Sequence, residues 1–463
     1  MNRRARRFTQ SDPIRTTAME RMATTVTELT GRTAPMRTGP TETLTEPTER
    51  TATGPTAPTP TETTAEPEPQ RLGLSALVGS DAAGFLQNAF GRCSYRTRMA
   101  PRAAAQLFGW PQLNAALAEH RLTPPRLRLE QAGRDVTPGL FRPRRTRRGL
   151  VLQDLDAAVM TERLREGATL IVDAVNEISP ALQAVCSSLA AEFTATCQAN
   201  LYACWGVTQG FDVHWDDHDV FVVQVEGRKQ WALYGLTQAA PTRRGRGAEA
   251  PPPQTEPELV VLEPGDVLYL PRGFWHAAVG LGGPTLHLTI GLTRKTGADL
   301  LHWLADELQV EPGFRSDLPF EAGDAATGAA LGGLLARLQR EDPAALARRY
   351  RRHVEAALPQ RPQLAFPHIG GDEPLSSDMR FVLGQGPARL ETRQAGPVLS
   401  WRGVEFTISW RLESAMRRLL AGEPVSIADL RAAAPAASDD QLQRFVGELM
   451  RRGALVPQGA GGR

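Results

Sequence analysis

Lysine is almost missing from this sequence of 463 residues. Lys229 and Lys295 are the only two among 53 basic side chains, which makes the place of each informative. Cysteine is nearly as scarce. Cys93, Cys186, Cys197 and Cys204 form no C-x-x-C pair. That excludes a zinc knuckle and a disulfide framework, and a reduced, cytoplasmic compartment is expected. No apolar run is long enough for a membrane span. The basic start, Met1-Asn2-Arg3-Arg4, leads into no apolar stretch, so a secretory signal is not expected. The net charge of +2 lacks the excess of one sign that marks a general nucleic-acid binder. What remains is 41% hydrophobic and 22% charged, a composition suited to two or three soluble domains.

Residues 1–70 are rich in Thr, Pro, Glu and Arg. They hold too little apolar surface to offset chain entropy, so a disordered leader is expected. Met19, Met22 and Met36 are possible alternative starts. Helical spacing begins at Leu72 and continues through Leu117, with Pro101 and Pro111 as breakers. Leu127–Glu130 and Ala168–Asp173 read as strands, and 154–165 and 180–195 as helices. Arg142, Arg144, Arg145, Arg147 and Arg148 fall in a stretch read as a loop. It is either a solvated loop or a contact for RNA phosphates or an acidic peptide.

From Gln198 the apolar period becomes two. Residues 201–208, 214–231, 259–261, 266–270 and 285–292 read as strands, with a polar Pro/Arg/Gly loop at 238–257. That many strands in so short a span suggest an α+β protein built on a double-stranded β-helix, the jelly roll of cupins. Helices return at 298–308, 328–340 and 344–357. Residues 359–387 look irregular and 398–409 read as strand, with a turn expected at Gly403. The tail reads helix, helix, helix, strand, with Ser426 and Ser438 as caps and Gly453 as a stop. That order is typical of a winged helix. Its last helix has few exposed basic residues before Arg451 and Arg452, so a structural or protein-contact role is expected over DNA binding.

The chemistry concentrates between Asn200 and Gly291. His214 and Asp216 stand two apart, and on a strand they would share a face. His276 follows Gly265-Asp266-Val267-Leu268-Tyr269-Leu270-Pro271-Arg272-Gly273, a strand and a tight turn. Two imidazoles and one carboxylate on one side of a metal leave three positions open, the facial arrangement of non-haem Fe(II) oxygenases. Lys229 lies in Glu226-Gly227-Arg228-Lys229-Gln230-Trp231. Strict alternation from His214 aims it at the wrong face, unless a turn or bulge at Gly227 resets it. A lysine among apolar strand residues needs an anionic partner, and a carboxylate ligand would serve. His218 and His287 are read as other than primary ligands, the latter packed and hydrogen-bonded in mid-strand.

These motifs resemble the JmjC-type ribosomal oxygenases, the Fe(II)- and 2-oxoglutarate-dependent protein hydroxylases. The resemblance implies His214, Asp216 and His276 as iron ligands. It implies Lys229 on the distal carboxylate of 2-oxoglutarate, with Asn200 and Tyr202 lining the same pocket. A small hydroxylated residue of the family is replaced by Gly291, with Thr289 or Thr293 as stand-ins. The resemblance does not cover the leader (1–70); for the rest, the implied organisation is a helical entry (71–197), a JmjC/cupin barrel (198–297), a helical dimerisation segment (298–390) and a winged helix (391–463). The implied partners are a second copy of the chain and a protein or peptide substrate, in this family an arginine or histidine of a ribosomal protein. Asp212, Asp217 and Asp219 would suit a cationic side chain at the barrel mouth. Oxygenation of a biosynthetic peptide or amino acid, a cupin without oxygenase activity, and a ligand-sensing winged-helix regulator are the alternatives.

Overall fold

The computed structural model describes residues 72–207, 209–242, 253–359, 375–376, 379–384, 386–394 and 396–458. The leader and the middle of the 238–257 loop lie outside the described residues.

The entry is helical. It comprises α1 (Leu72–Val78), α2 (Ala82–Asn88), α3 (Pro101–Phe108) and α4 (Trp110–Glu119), with a short strand β1 (Tyr95–Arg98) between α2 and α3. Pro101 and Pro111 sit in the first turns of α3 and α4, where a missing N–H costs nothing. Strands β2 (Leu127–Gln131) and β3 (Arg134–Asp135) follow. Then comes a separate hairpin of β4 (Phe141–Arg145) and β5 (Val151–Leu155). The arginine run is therefore largely strand, which corrects the loop reading. Arg144 pairs with Asp154 and Arg142 with Asp156, so cross-strand charge supports the ribbon. Asp156 then caps α5 (Ala157–Arg165), and β6 (Thr169–Val172) leads to α6 (Pro180–Phe193).

The barrel strands are β7 (Thr196–Cys204), β8 (Asp219–Glu226), β9 (Lys229–Leu236), β10 (Glu258–Leu262), β11 (Asp266–Leu270), β12 (Phe274–Gly280) and β13 (Thr285–Thr293). They form two facing sheets. One has the order β1-β11-β8-β13-β7-β6-β2-β3 and the other β10-β9-β12. The outer face of the large sheet is buried under α1–α4 and α6, with Phe85, Phe108, Leu129, Leu182 and Tyr269 in one core. Between the sheets Val220, Val222, Trp231, Leu233, Leu268 and Phe274 form a second apolar cluster. Such a two-sheet jelly roll is an α+β cupin fold.

Two strand readings need correction. Residues 214–231 are not one strand. His214 makes an isolated bridge, a loop follows, and β8 starts only at Asp219. Gly227 then turns the chain into β9, with φ at +64°. A Cβ there would sit 2.1 Å from the Pro284 carbonyl oxygen, so glycine is required. Residues 274–280, unassigned from the sequence, form β12, and His276 lies on that strand, after β11 and the turn at 271–273.

Beyond the barrel come α7 (Gly297–Leu308), α8 (Pro312–Arg315), α9 (Asp324–Leu338) and α10 (Pro343–Ala357). The last part begins with β14 (Arg380–Leu383), inside a stretch read as irregular, and β15 (Ala388–Arg393). β16 (Gly396–Trp401) and β17 (Val404–Thr407) turn at Gly403, as its place suggested. Helices α11 (Glu413–Leu420), α12 (Ile427–Ala433) and α13 (Asp439–Arg451) follow, with β18 (Val425–Ser426) before α12 and β19 (Leu455–Gln458) at the end. Ser426 and Ser438 cap α12 and α13 through their hydroxyls.

Candidate metal centre

The two histidines meet through backbone first. His214 donates its N–H to the His276 carbonyl (3.1 Å) and accepts from the His276 N–H (2.8 Å). This bridge clips the loop before β8 onto β12. The rings end up with centroids 4.5 Å apart. The Asp216 carbonyl accepts from the Gly273 N–H at 2.9 Å, which ties the carboxylate's own backbone to the turn before β12. One ligand atom from each of His214, Asp216 and His276 lies within 4.8 Å of the others.

Both imidazoles present the same nitrogen. Nδ1 of His214 is 2.8 Å from the Asp212 carbonyl, and Nδ1 of His276 is 2.9 Å from the Phe274 carbonyl. A carbonyl only accepts, so each Nδ1 carries a proton, and Nε2 is the nitrogen each ring can offer to a metal. Nε2 of His276 lies 3.7 Å from Oδ2 of Asp216. Burial, and then the neighbouring His214, push the His276 pKa down to about 4. Two imidazoles and a carboxylate on one side are a donor set that fits a divalent first-row metal with open positions.

Behind the cluster lie the other predicted residues. Lys229 opens β9 and is 6% exposed, with no carboxylate partner among the described residues. Burial pulls its pKa down. The parity argument from His214 fails because His214 is not on β8, and Gly227 starts a new strand. Tyr202 is half-buried on β7. Burial, then Asp216 and Asp173, push its hydroxyl up to about 12, while a hydrogen bond with Thr289 acts the other way. Asn200 pairs in register with Thr289. Its Oδ1 accepts from the Ala174 N–H (2.9 Å) and the Gln198 side chain (2.8 Å), so that oxygen is committed to the scaffold.

His287 was underread. It is packed, stacked on Tyr202 at 5.0 Å and edge-on to Trp231 at 5.5 Å. Yet its buried Nδ1 has no hydrogen-bond partner among the described residues, unlike the expected bonded histidine. Burial and the nearby Lys229 hold it neutral. The available signal was its period-two relation to Thr289 on one strand face. An uncompensated buried ammonium, an orphaned imidazole nitrogen and a tyrosine fit a small dicarboxylic oxo-acid.

The acidic mouth is smaller than the sequence suggested. Asp219 is 2% exposed and accepts from Tyr269 Oη (2.9 Å), Arg294 Nε (3.0 Å) and the Arg272 N–H (3.2 Å). It is a scaffold residue with no capacity left for a substrate cation. His218 stands outside the cluster, with Nδ1 3.1 Å from Asp217 Oδ1.

Residues 175–300 match the family model described as JmjC domain. Residues 175–300 of this chain are thus a JmjC domain. Among its relatives is a bifunctional lysine-specific demethylase and histidyl-hydroxylase NO66 from Drosophila willistoni, 37% identical over 144 residues. That match covers 30% of this chain and 19% of the relative. Ribosomal oxygenase 1 from Gallus gallus is 33% identical over 174 residues, 36% of this chain and 28% of the relative. The chain thus aligns with only 19% and 28% of these two relatives' length. A solved Escherichia coli ribosomal oxygenase, YcfD in complex with cobalt and 2-oxoglutarate, matches in fold. Its TM-score is 0.52 at 16% identity, covering 83% of this chain and 99% of that one. No helix among the described residues is long and apolar enough to cross a membrane.

Proposed function

We propose that this chain is an Fe(II)- and 2-oxoglutarate-dependent dioxygenase that hydroxylates a protein or peptide side chain. The observation that carries the reading is the His214–Asp216–His276 cluster, whose ligand atoms lie within 4.8 Å of one another, together with the buried Lys229, which has no carboxylate partner among the described residues. His214 and His276 would hold the metal through Nε2, and Asp216 through its carboxylate. Bound iron, with the oxo-acid and dioxygen, supplies the oxidising power for C–H hydroxylation.

The protein's own part is placement. The backbone clip between His214 and His276 fixes two donors before any metal arrives. Lys229 supplies the counter-charge for the far carboxylate of the oxo-acid, and its burial makes that charge strong. Tyr202, Thr289 and His287 give the same pocket hydrogen-bonding groups. Trp231, Val222 and Leu268 keep water from its apolar side.

The substrate in this reading is an arginine or histidine of a ribosomal protein. The relatives' names, histidyl-hydroxylase and ribosomal oxygenase, support it. Asp219 is taken up by Tyr269, Arg294 and the Arg272 N–H, so it is not counted among the groups that would face a basic side chain. The test is incubation with Fe(II), 2-oxoglutarate and ribosomal proteins, followed by mass spectrometry. One added oxygen on a basic residue is expected, and its absence from every ribosomal protein would remove this substrate class.

Two assembly features belong to the same proposal. Residues 298–358 join two copies: Leu301, Val310, Phe320, Leu331 and Leu335 are apolar and exposed along α7–α9 and their connections. Residues 391–463 are a winged helix used for protein contact. The arginines of its last helix are engaged, Arg444 with Asp440 and Arg451 with Glu448, as is Arg452 just after it, with Glu448. That leaves little free charge for phosphates.

A further inference from the structure

Strand β13 alternates cleanly. Leu286, Leu288, Ile290 and Leu292 are buried in the helix-side core. His287, Thr289 and Gly291 lie on the opposite face, towards the metal centre. Gly291 is the odd member of that row. Its backbone is ordinary strand, paired with Gln198 on one side and Val220 on the other. Its φ is outside the left-handed range, so conformation does not require glycine.

Space does. A Cβ on Gly291 would lie 2.7 Å from both Cδ2 and Nε2 of His218. The imidazole of His218 thus fills the volume that a side chain at 291 would occupy. Its ring is held by Asp217 Oδ1, 3.1 Å from Nδ1, which leaves the Nε2 edge against Gly291. His218 is also half-buried rather than hidden, and with Asp217 it lines an outer chamber of about 900 Å³. Arg272, Lys295 and Tyr350 form other parts of that chamber's wall. One ring therefore touches both the inward face of β13 and the outer chamber.

We propose that His218 is the partition between the oxo-acid pocket and the outer chamber, made possible by the missing side chain at Gly291. It is a positioning residue. Its ring closes the pocket beside Thr289 and limits how far the oxo-acid can shift. This rests on the cofactor assignment proposed above.

The experiment compares wild type, His218→Ala, Gly291→Val and the double variant, each loaded with Co(II). Co(II) alone and 2-oxoglutarate on the Co(II) form are titrated by calorimetry. Co(II) affinity should be the same in all four. His218→Ala opens the partition and should weaken 2-oxoglutarate binding about tenfold. Gly291→Val drives its side chain into the ring and should weaken binding as much or fail to fold. In the double variant the valine refills the hole from β13, and binding should return to within about threefold of wild type. In turnover with Fe(II), His218→Ala should raise KM for 2-oxoglutarate and leave kcat within about twofold. Wild-type affinity in His218→Ala, or a double variant no better than His218→Ala, overturns the partition. A wild-type protein that binds Co(II) but not 2-oxoglutarate overturns the cofactor reading itself, and the partition with it.

Discussion

His214 and His276 hold each other's backbone by a reciprocal pair of hydrogen bonds, 2.8 and 3.1 Å long. The two imidazole donors are therefore coupled before a metal binds, although 61 intervening residues separate them in sequence. Metal binding should lock this clip further. Co(II) at a hundredfold excess over its Kd should add about 2.7 kcal/mol to the wild type by mass action. His276→Ala should lose that increment, measured as a metal-dependent shift in Tm.

Lys229 should show opposite effects on stability and binding. Its ammonium is buried with no acidic partner among the described residues, and burial pulls its pKa down. Lys229→Met removes a charge that the apo protein pays to bury. The apo form should gain on the order of 1 kcal/mol or more, while 2-oxoglutarate affinity falls by at least about tenfold. Paired thermal melts and calorimetric titrations check both signs.

Asp219 separates a scaffold role from a substrate role. It joins Tyr269, Arg294 and the turn at Arg272. Asp219→Ala leaves Arg294 and Tyr269 without that acceptor, and should cost about 3 kcal/mol of stability. A urea midpoint unchanged from wild type would show that the network is not structural.

The C-terminal part carries an acid-sensitive junction. Arg393 and then Arg352 hold the Glu405 carboxyl down to about 2. A depressed pKa gives stability that is present above the unfolded value near 4.5 and fades as pH falls towards 2. Solvent screening keeps it small. Glu405→Gln should lower Tm slightly at pH 6, and the difference from wild type should disappear as pH approaches 2.

If residues 298–358 join two copies, a charge on the apolar surface should part them. Leu335 is 59% exposed on α9. Leu335→Asp should convert a dimeric mass by light scattering into a monomeric one, with the far-ultraviolet circular dichroism unchanged.

Much of this was legible in the sequence because the signals were local. Period-two alternation gave the core strands β8, β11 and β13. Ser426 and Ser438 announced their helices by side-chain capping, and Gly403 and Gly453 announced their turns. The cluster itself was legible because His214, Asp216 and His276 come with a fixed strand-turn-strand grammar. What failed depended on partners distant in sequence. His214 is placed by one bridge to β12, not by a strand of its own, so the alternation argument reached the right pairing for the wrong reason. The arginine run looked like a loop because its pairing carboxylates, Asp154 and Asp156, lie on the other side of the hairpin. Asp219 looked like a free acid because Tyr269 and Arg294 are 50 and 75 residues away. His287 looked ordinary because an orphaned nitrogen is a property of its surroundings.

The most direct measurement is a crystal structure of the protein with Co(II) and 2-oxoglutarate, with the metal located by anomalous scattering. The account predicts a single peak bonded to Nε2 of His214, the Asp216 carboxylate and Nε2 of His276. The oxo-acid should chelate from the open side, with its far carboxylate on Lys229. A metal held elsewhere, or held here with a fourth protein ligand closing the open side, would contradict it.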